Sequence, residues 1–375
     1  MLSSGDPGSA PLQSLEPSTQ QAGKTPAGLG YRLPAEWEPH EATWLGWPHN
    51  LSDWPGKFAP IPWVYGEIVR KIAPGEIVRI LVNSDAHEKR ARRILSRSGM
   101  DLEHVEFFRF PTDRGWTRDF GPMFIKKDLP RAEVAVVDFG FTGWAKYPNW
   151  HRDCQVPRRA ALALHRRRFE AKVNGRTFVL EGGSIEVNGQ GTLLTTEECL
   201  LDPATQVRNP GLGRQEVEAA LREYLGVRNI LWLGKGIVGD DTHGHVDDLC
   251  RFVGPRTVVL CQERNPADPN CQLLQENWER ACDLRLEDGS KLEVVPLPMP
   301  EPLYLDGQRL PASYANFYIS NAAVLVPTFN SPQDRIALGT LAELLPDRQV
   351  VGIHAVDLVW GLGALHCLTQ QQPRL

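Results

Sequence analysis

Short runs of β-branched and apolar residues, bounded by Gly, Pro, Asn or Asp, recur along the chain and have the pattern of β-strands. Between some of them, apolar residues repeat at the three- and four-residue spacing of an amphipathic helix. The predicted strands are 77–82, 134–139, 177–187, 191–195, 229–233, 257–261, 292–295, 322–326 and 350–353, and the predicted helices are 86–96, 214–224 and 334–345. Because strands alternate with helices, the pattern predicts an α/β fold.

Segments with polar side chains that suit chemistry precede or open several of these strands. They are TRDFGPMFI (117–125), EGGSIEV (181–187), HGHVDDLCRFV (243–253), SNAAVLV (320–326) and LGALHCLTQ (362–370), and EATWLGWP (41–48) is a candidate further member. Their marker residues are Asp119, Glu181, His245, Asn321 and Cys367. The recurrence favours a quasi-symmetric array in which each unit sends a loop to a shared centre. Chance spacing of loops in an ordinary α/β enzyme is the alternative.

The composition is that of a soluble globular enzyme. The 375 residues are 42% hydrophobic and 23% charged, with a formal net charge of −5. A mildly acidic chain argues against nucleic acid as the main partner, because nucleic acid usually requires a basic face. We find no run of about 18 apolar residues, so no membrane segment is predicted. A homo-oligomer is compatible with the sequence, which does not define the oligomeric state.

Residues 1–27 are rich in Ser, Pro, Gly and Gln and lack the apolar run of a signal peptide. They are therefore predicted to be a disordered tail, followed by a single domain over 28–375. The seven cysteines have irregular spacing and form no CxxC pair, which argues against a zinc ribbon. We expect them to be mostly reduced thiols in a cytoplasmic protein.

Cys367 is the candidate nucleophile because it follows a Gly-rich turn near the end of the chain. Gly361 and Gly363 allow a sharp turn or a close approach of the backbone. A thiol after such a turn can face a pocket, where a cation or a base would activate it. A buried structural thiol is the alternative.

His245 lies in a segment with two further polar candidates. His243, His245 and Asp247 would share one face if this segment were extended. Such a face suits general acid–base catalysis with an imidazole oriented by a carboxylate, and it also suits a metal held by three ligands. A surface loop of solvated charges is the third interpretation.

Three carboxylates on Gly-flanked loops, those of Asp119, Glu181 and Asp247, complete the candidate set. Each acid taken alone is more simply a turn or salt-bridge residue. Together with a thiol and an imidazole, they suit a planar guanidinium, which carboxylates bind through paired charge-assisted hydrogen bonds. A bound cation would also favour the thiolate form of the nucleophile. The candidate aromatic walls for this cation are Trp116, Trp44 and Trp47.

Four motifs that occur in this order along the chain carry a resemblance to a known family. They are WTRDFGP (116–122), EGGS (181–184), GHVD (244–247) and HCLTQQQP (366–373). The chain resembles, from about Tyr31 to Pro373, the agmatine deiminase and bacterial peptidylarginine deiminase family of the guanidine-modifying pentein superfamily. The resemblance implies an α/β fold in which five blades form a propeller with pseudo-fivefold symmetry and the active site on its axis.

The resemblance also implies roles for the residues. Cys367 matches the nucleophile, His245 the general acid–base, Asp119 and Asp247 the acids that bind the guanidinium, and Glu181 the acid that supports His245 or the substrate. The residues expected to line the substrate are Trp116, Asp241 and Gly363. The family needs no metal and no cofactor, which makes the histidine-rich segment catalytic rather than metal-binding.

The implied reaction is deimination through a covalent thiouronium on Cys367. For agmatine, a small cationic guanidino compound, the product is N-carbamoylputrescine, an intermediate of putrescine and polyamine biosynthesis. The chain departs from the usual agmatine deiminase pattern at Asp241 and His243 and at Leu362 and Leu365, which puts the tail of the substrate in doubt. An amine tail requires an acid, and Asp241 or Asp240 is the candidate.

Several alternatives remain at this point. Arginine, peptidylarginine or another guanidino compound is the alternative substrate. A metal-dependent hydrolase using His243, His245 and Asp247, a non-catalytic protein that binds guanidino compounds or polyamines, and an amidinotransferase are the alternative functions.

Overall fold

The structure is a computed structural model that describes residues 25–375. Most of the predicted tail at 1–27 lies outside the described residues. Its last residues enter a 3-10 helix, Ala27–Leu29, which ends at Gly30 in a left-handed conformation. The prediction of one domain over 28–375 stays a prediction.

The strands and helices alternate over the described residues. The strands are β1 His40–Gly46, β2 Ile77–Leu81, β3 Val105–Phe108, β4 Met123–Lys127, β5 Glu133–Asp138, β6 Arg167–Glu170, β7 Lys172–Val173, β8 Arg176–Thr177, β9 Glu186–Val187, β10 Thr192–Thr196, β11 Asn229–Leu233, β12 Cys250–Phe252, β13 Thr257–Gln262, β14 Glu293–Pro298, β15 Tyr304–Leu305, β16 Gln308–Arg309, β17 Tyr318–Ile319, β18 Ala323–Thr328, β19 Gln349–His354 and β20 Thr369–Pro373. The α-helices are α1 Ile61–Ile72, α2 Asp85–Arg97, α3 Thr117–Phe120, α4 Val156–Ala163, α5 Glu197–Leu201, α6 Arg214–Leu225, α7 Pro269–Asp283, α8 Gln333–Leu344 and α9 Leu365–Leu368.

Five sheets share one topology within residues 25–375. Each has a first strand antiparallel to a middle strand, which is parallel to a third strand. The five sheets are β20-β1-β2, extended by β3, then β4-β5-β6, β9-β10-β11, β12-β13-β14 and β17-β18-β19. This recurrence confirms the predicted repeat of pattern. The segment 41–48 contributes β1, which pairs with β20, so it belongs to the same sheet as the Cys367 segment and adds no further unit.

Most predicted elements are confirmed, with boundary shifts of one to a few residues. The run 229–233 is β11, and the helix predicted at 86–96 is α2, which begins after Ser84, whose side chain accepts a hydrogen bond from the His87 N–H. The strand predicted over 177–187 is wrong, because a 3-10 helix, Gly182–Ser184, separates β8 from β9. Consecutive glycines do not continue a strand well, and here they form a tight turn.

The middle strands supply much of the hydrophobic core. The side chains of β10 and β18 are almost all buried, since each strand lies inside its sheet with neighbours on both sides. Trp44 and Trp47 are also buried in this core, and their role as walls for a substrate cation stays a prediction. The indole of Trp44 donates to the Gln372 amide oxygen, which ties β1 to β20.

No helix between residues 25 and 375 is long and apolar enough to cross a lipid bilayer.

Candidate active site

Segments that precede the first strands of the sheets bring the predicted site residues together. Asp119 lies in α3 before β4, Glu181 before β9, His245 before β12 and Cys367 in α9 before β20. In the fifth sheet the corresponding segment precedes β17 and holds Asn316, which is completely buried. The choice of Asn321 was therefore wrong. Asn321 lies in the turn between β17 and β18 and bonds to backbone at His40 and Gly75.

The Cys367 thiol is buried and in contact with polar groups of two other sheets. Its Sγ lies 3.0 Å from the Asn316 side-chain nitrogen and 3.6 Å from Asp247 Oδ2. Asn316 Oδ1 accepts from the backbone N–H groups of His366, at 2.9 Å, and Cys367, at 3.3 Å. Asn316 thus fixes the backbone and the thiol of the nucleophile together. Sequence reasoning missed it, although its position before β17 was the available signal.

His245 is fully buried, and neither of its ring nitrogens has a hydrogen-bond partner among the described residues. Nδ1 lies 3.8 Å from Asp119 Oδ1 and 4.0 Å from Asp247 Oδ1, while Nε2 lies 3.6 Å from Glu181 Oε2. Burial opposes protonation of the ring, yet the carboxylates of Asp119 and Glu181 raise the pKa of His245 well above its ordinary value. The imidazole is therefore ready to act as an acid.

Asp119 is the carboxylate that lies nearest to Nδ1 of His245. Its Oδ2 accepts a hydrogen bond of 2.8 Å from the Trp144 indole, and its Oδ1 accepts one of 3.0 Å from the Gly183 N–H. Burial raises the pKa of Asp119 to about 6. Gly183 has no side chain for a clear reason, since a Cβ there would lie 2.6 Å from His245 Nδ1 and 3.0 Å from oxygens of Asp119 and Asp247.

Glu181 is held by a buried cation. The Arg208 Nε lies 3.1 and 3.2 Å from its two carboxylate oxygens, and both side chains are almost fully buried. Burial opposes the charged form, but Arg208 outweighs it and keeps the pKa of Glu181 below its ordinary value. An ionised Glu181 beside Nε2 supports the protonated imidazole of His245.

His243 does not join this group. It has a left-handed backbone conformation at φ 65°, and its Nε2 bonds to Asp202 Oδ2 at 2.9 Å. The predicted extended face of His243, His245 and Asp247 is wrong, because the chain turns before a 3-10 helix, Val246–Asp248. The three ligands of the proposed metal hydrolase are therefore not brought together.

Two of the predicted substrate-lining residues lie beside the nucleophile. A Cβ on Gly363 would lie 2.7 Å from the Trp116 ring and 3.2 Å from the Cys367 Cβ. Trp116 itself packs on Trp54, with ring centroids 5.3 Å apart. Only a glycine at 363 lets the indole approach the thiol so closely.

The predicted contact of a free acid with an amine tail is not supported by the structure. The Asp241 carboxylate pairs with the Lys146 ammonium at 2.5 Å and accepts from the Tyr147 hydroxyl at 2.7 Å. Asp240 organises its own loop, since its Oδ2 accepts from the N–H groups of Gly244, at 2.7 Å, and His245, at 3.0 Å. Sequence reasoning could not see the partner of Asp241, which lies in a different loop.

The arrangement can bind a planar cation and place a thiol against it. Burial and the carboxylates of Asp247 and Asp248 raise the pKa of the Cys367 thiol well above its ordinary value. The thiol is therefore neutral until a positive charge arrives. A guanidinium would supply that charge and would give the unpaired acceptor Asp247 Oδ1 a hydrogen-bond donor.

Fold and site together define the class: an α/β protein of the pentein type with a Cys, a His and acidic residues at one buried site. The family profile of Porphyromonas-type peptidyl-arginine deiminases matches residues 32–373, and the chain belongs to this family.

Agmatine deiminases are among the relatives. The enzyme of Pseudomonas aeruginosa (strain LESB58) is 37% identical, over 93% of this chain and 97% of its own length. Among solved structures, the agmatine deiminase of Enterococcus faecalis is 31% identical, with a TM-score of 0.85 over 95% of this chain and 100% of its own. A substituted agmatine deiminase of C. jejuni with substrate bound is 28% identical, with a TM-score of 0.78 over 92% of this chain and 96% of its own.

Proposed function

We propose that the protein is an agmatine deiminase that hydrolyses agmatine to N-carbamoylputrescine and ammonia. One observation carries the chemical part of this proposal: a buried thiol and a buried imidazole meet three carboxylates, while both nitrogens of His245 and one oxygen of Asp247 have no partner within residues 25–375. Unpaired buried polar atoms are costly, so they indicate the place of a polar ligand. Because acids predominate at the site, the ligand that fits it carries a positive charge.

In the first half of the reaction, binding of the guanidinium lets the Cys367 thiol release its proton to solvent. The thiolate attacks the guanidinium carbon and forms a C–S bond. The His245 imidazolium gives a proton to one nitrogen, the C–N bond breaks, and ammonia leaves. The product of this half is a thiouronium on Cys367 beside a neutral imidazole.

In the second half, His245 takes a proton from water as the water oxygen attacks the same carbon. The C–S bond then breaks, the remaining proton of the attacking water passes from the product oxygen to the departing sulfur, and the ureido product is released from the regenerated thiol. The raised pKa of His245 suits its acid role in the first half. Its return to the protonated form in the second half completes the cycle.

Agmatine is favoured as substrate by the relatives of this chain. The alternative substrates are arginine and peptidylarginine, and the family description names the latter. A carboxylate tail would require a cation near the site, and Lys146 is already paired with Asp241. An amine tail would meet Asp241 only in competition with Lys146.

Three structural proposals accompany the function. The five sheets of shared topology form the blades of a propeller with pseudo-fivefold symmetry around the site, which their common placement of site residues supports. Residues 28–375 form a single catalytic domain. The protein is cytoplasmic, because the mechanism requires a reduced thiol and all seven cysteines are free.

Release of ammonia and ureido product should be measured with agmatine, arginine and a short arginine peptide. Cys367→Ala is compared with Cys271→Ala, which removes a half-buried thiol of α7. We expect turnover of agmatine that persists in Cys271→Ala, is lost in Cys367→Ala and is unchanged by EDTA. Turnover of another substrate would overturn agmatine, and activity in Cys367→Ala would overturn the mechanism.

A further inference from the structure

His366 is next to the nucleophile in sequence, but its ring lies in the interior behind the site. The side chain is about 1% exposed. Nδ1 lies 2.7 Å from Asp247 Oδ2, and Nε2 lies 2.8 Å from Glu36 Oε2. The ring therefore bridges two carboxylates, one in the site and one outside it.

Glu36 is held as an ionised carboxylate. It accepts hydrogen bonds from the Arg251 guanidinium at 2.9 Å, the Arg118 guanidinium at 3.2 Å and the Ile319 N–H at 2.7 Å. Burial disfavours the charge, but Arg251 and His366 outweigh it and hold the pKa of Glu36 well below its ordinary value. An ionised carboxylate only accepts, so Nε2 of His366 donates to it.

The Asp247 carboxylate is the hydrogen-bond partner of the other ring nitrogen, Nδ1. Burial opposes ionisation of Asp247, but the hydrogen bond from His366 keeps its pKa below the ordinary value. Both ring nitrogens thus face a carboxylate oxygen, and a ring that donates to both is an imidazolium. Glu186 also faces the ring, with its Oε1 3.9 Å from Nε2, and the guanidiniums of Arg118 and Arg251 contact the Glu36 carboxylate that binds the ring.

The bridge determines which oxygen of Asp247 is available. Oδ2 is occupied by His366, whereas Oδ1 is buried without a partner among residues 25–375. The groups that face this carboxylate are His245 of the same segment, whose Nδ1 is 4.0 Å from Oδ1, and the Cys367 thiol, 3.6 Å from Oδ2. The charges of Asp119 and Arg251 also act on it. A carboxylate held at one oxygen presents the other in a fixed direction.

We propose that His366 is a positioning residue for deimination: as an imidazolium held by Glu36, it fixes the Asp247 carboxylate so that Oδ1 receives the substrate guanidinium. The proposal rests on the proposed function for its kinetic test. It differs from a role as general base, because the ring touches neither the thiol nor the place of the guanidinium. His366 acts through Asp247 alone.

The kinetic test compares two replacements of the same ring. An Asn amide nitrogen can take the place of Nδ1 and keep the bond to Asp247, whereas a Gln amide nitrogen can take the place of Nε2 and keep only the bond to Glu36. We expect His366→Gln to raise KM for agmatine about tenfold to a hundredfold, as for loss of one hydrogen bond to a charged group. His366→Asn should raise KM less, and His354→Gln, at an exposed position of β19, should not change it.

The pH profile and the melting temperature separate positioning from general damage. Without its cationic neighbour, Asp247 would protonate more readily, so the acid limb of kcat/KM should move to higher pH in His366→Gln. An unmoved acid limb, or equal KM values for the Asn and Gln variants at equal melting temperature, would overturn the proposal.

A spectroscopic readout is independent of turnover. In protein labelled with ¹⁵N-histidine, both ring nitrogens of His366, assigned by their loss in His366→Gln, should show the shifts of protonated nitrogens at neutral pH. A non-protonated nitrogen at His366 would overturn the proposal even if agmatine is hydrolysed. If the wild type hydrolyses none of the three substrates but both nitrogens are protonated, the proposed function fails while the positively charged bridge stands.

Discussion

Buried imidazole and carboxylate groups lie on two sides of helix α9, and the two sides differ in whether these groups have hydrogen-bond partners. In front of it, His245 and Asp247 Oδ1 have no hydrogen-bond partner within residues 25–375. Behind it, His366 and Glu36 have partners for every ring nitrogen and carboxylate oxygen. A buried imidazole beside acids is therefore not enough to indicate catalysis. The unpaired atoms show where a ligand belongs, and the paired ones show what holds the site in place.

The largest effect is expected from a substitution among the paired groups behind α9. Arg251 is completely buried, and its guanidinium bonds to Glu36, to Glu186 and to the backbone oxygen of Ala315. Arg251→Met should lower the free energy of unfolding by about 3–5 kcal/mol, because it leaves buried carboxylates without their cation. Urea denaturation followed by fluorescence measures this change.

The matched control is Arg256→Met, which removes an exposed guanidinium paired with Asp288. Exposed ion pairs contribute little, so this variant should unfold at nearly the wild-type urea concentration. Equal destabilisation by the two substitutions would contradict the distinction between the two sides of α9.

A smaller effect is expected in front of α9. Asn316→Ala removes the amide that contacts Cys367 Sγ at 3.0 Å and Asp248 Oδ1 at 2.9 Å. The amide favours the thiolate, so its loss should raise the pKa of Cys367 further and reduce kcat/KM about tenfold. Iodoacetamide alkylation of the thiol, followed across pH, should shift to higher pH. An unchanged alkylation profile would contradict a role of Asn316 in setting the pKa of Cys367.

The smallest effect tests whether a buried oxygen without a hydrogen-bond partner is enough to indicate a ligand site. Asp53 and Asp153 also bury an oxygen without a partner in the described structure, but burial raises their pKa values to about 7 and about 8. At neutral pH, Asp153 is thus largely protonated and Asp53 is about half protonated. Their folded pKa values exceed the ordinary value of 3.8, so their stabilisation is complete below about pH 4 and is lost as pH rises through 7 to 8.

Asp153→Asn should remove part of this loss. It keeps the acceptor for the N–H groups of Asp113 and Arg114 and cannot ionise. Between pH 5 and pH 8, we expect the variant to gain at least about 1 kcal/mol of stability relative to the wild type, since one unit of pKa shift corresponds to about 1.4 kcal/mol. Thermal unfolding at the two pH values measures it, and an identical pH dependence in both proteins would contradict the assignment.

The sequence predicted the elements whose pattern is local. The apolar, β-branched run at 229–233 matches β11, and the periodicity at 214–224 matches α6 within one residue. The helices α1 and α7 were missed, although α1 begins with Pro as its second residue and α7 follows a capping Asp268. Gly66 inside α1, and Asn270 and Asn277 inside α7, lower the helix propensity of these segments.

The site shows the same division. Cys367, His245, Asp119, Asp247 and Glu181 were predicted from motifs, and the structure brings all five together. The partners that decide their states were not predictable from local pattern: Arg208 for Glu181, Trp144 for Asp119 and Glu36 for His366 lie in other loops. Asn316 was missed because strand β17 has only two residues and gives no apolar run to mark its start.

The most direct test of the central claim is intact-mass spectrometry of the protein quenched with acid during turnover of agmatine. The account predicts a species heavier by agmatine minus ammonia, which is an aminobutyl-substituted amidino group on the peptide that contains Cys367, present in the wild type and absent from Cys367→Ala. Turnover of agmatine without any such adduct, or an adduct on another cysteine, would contradict nucleophilic catalysis by Cys367.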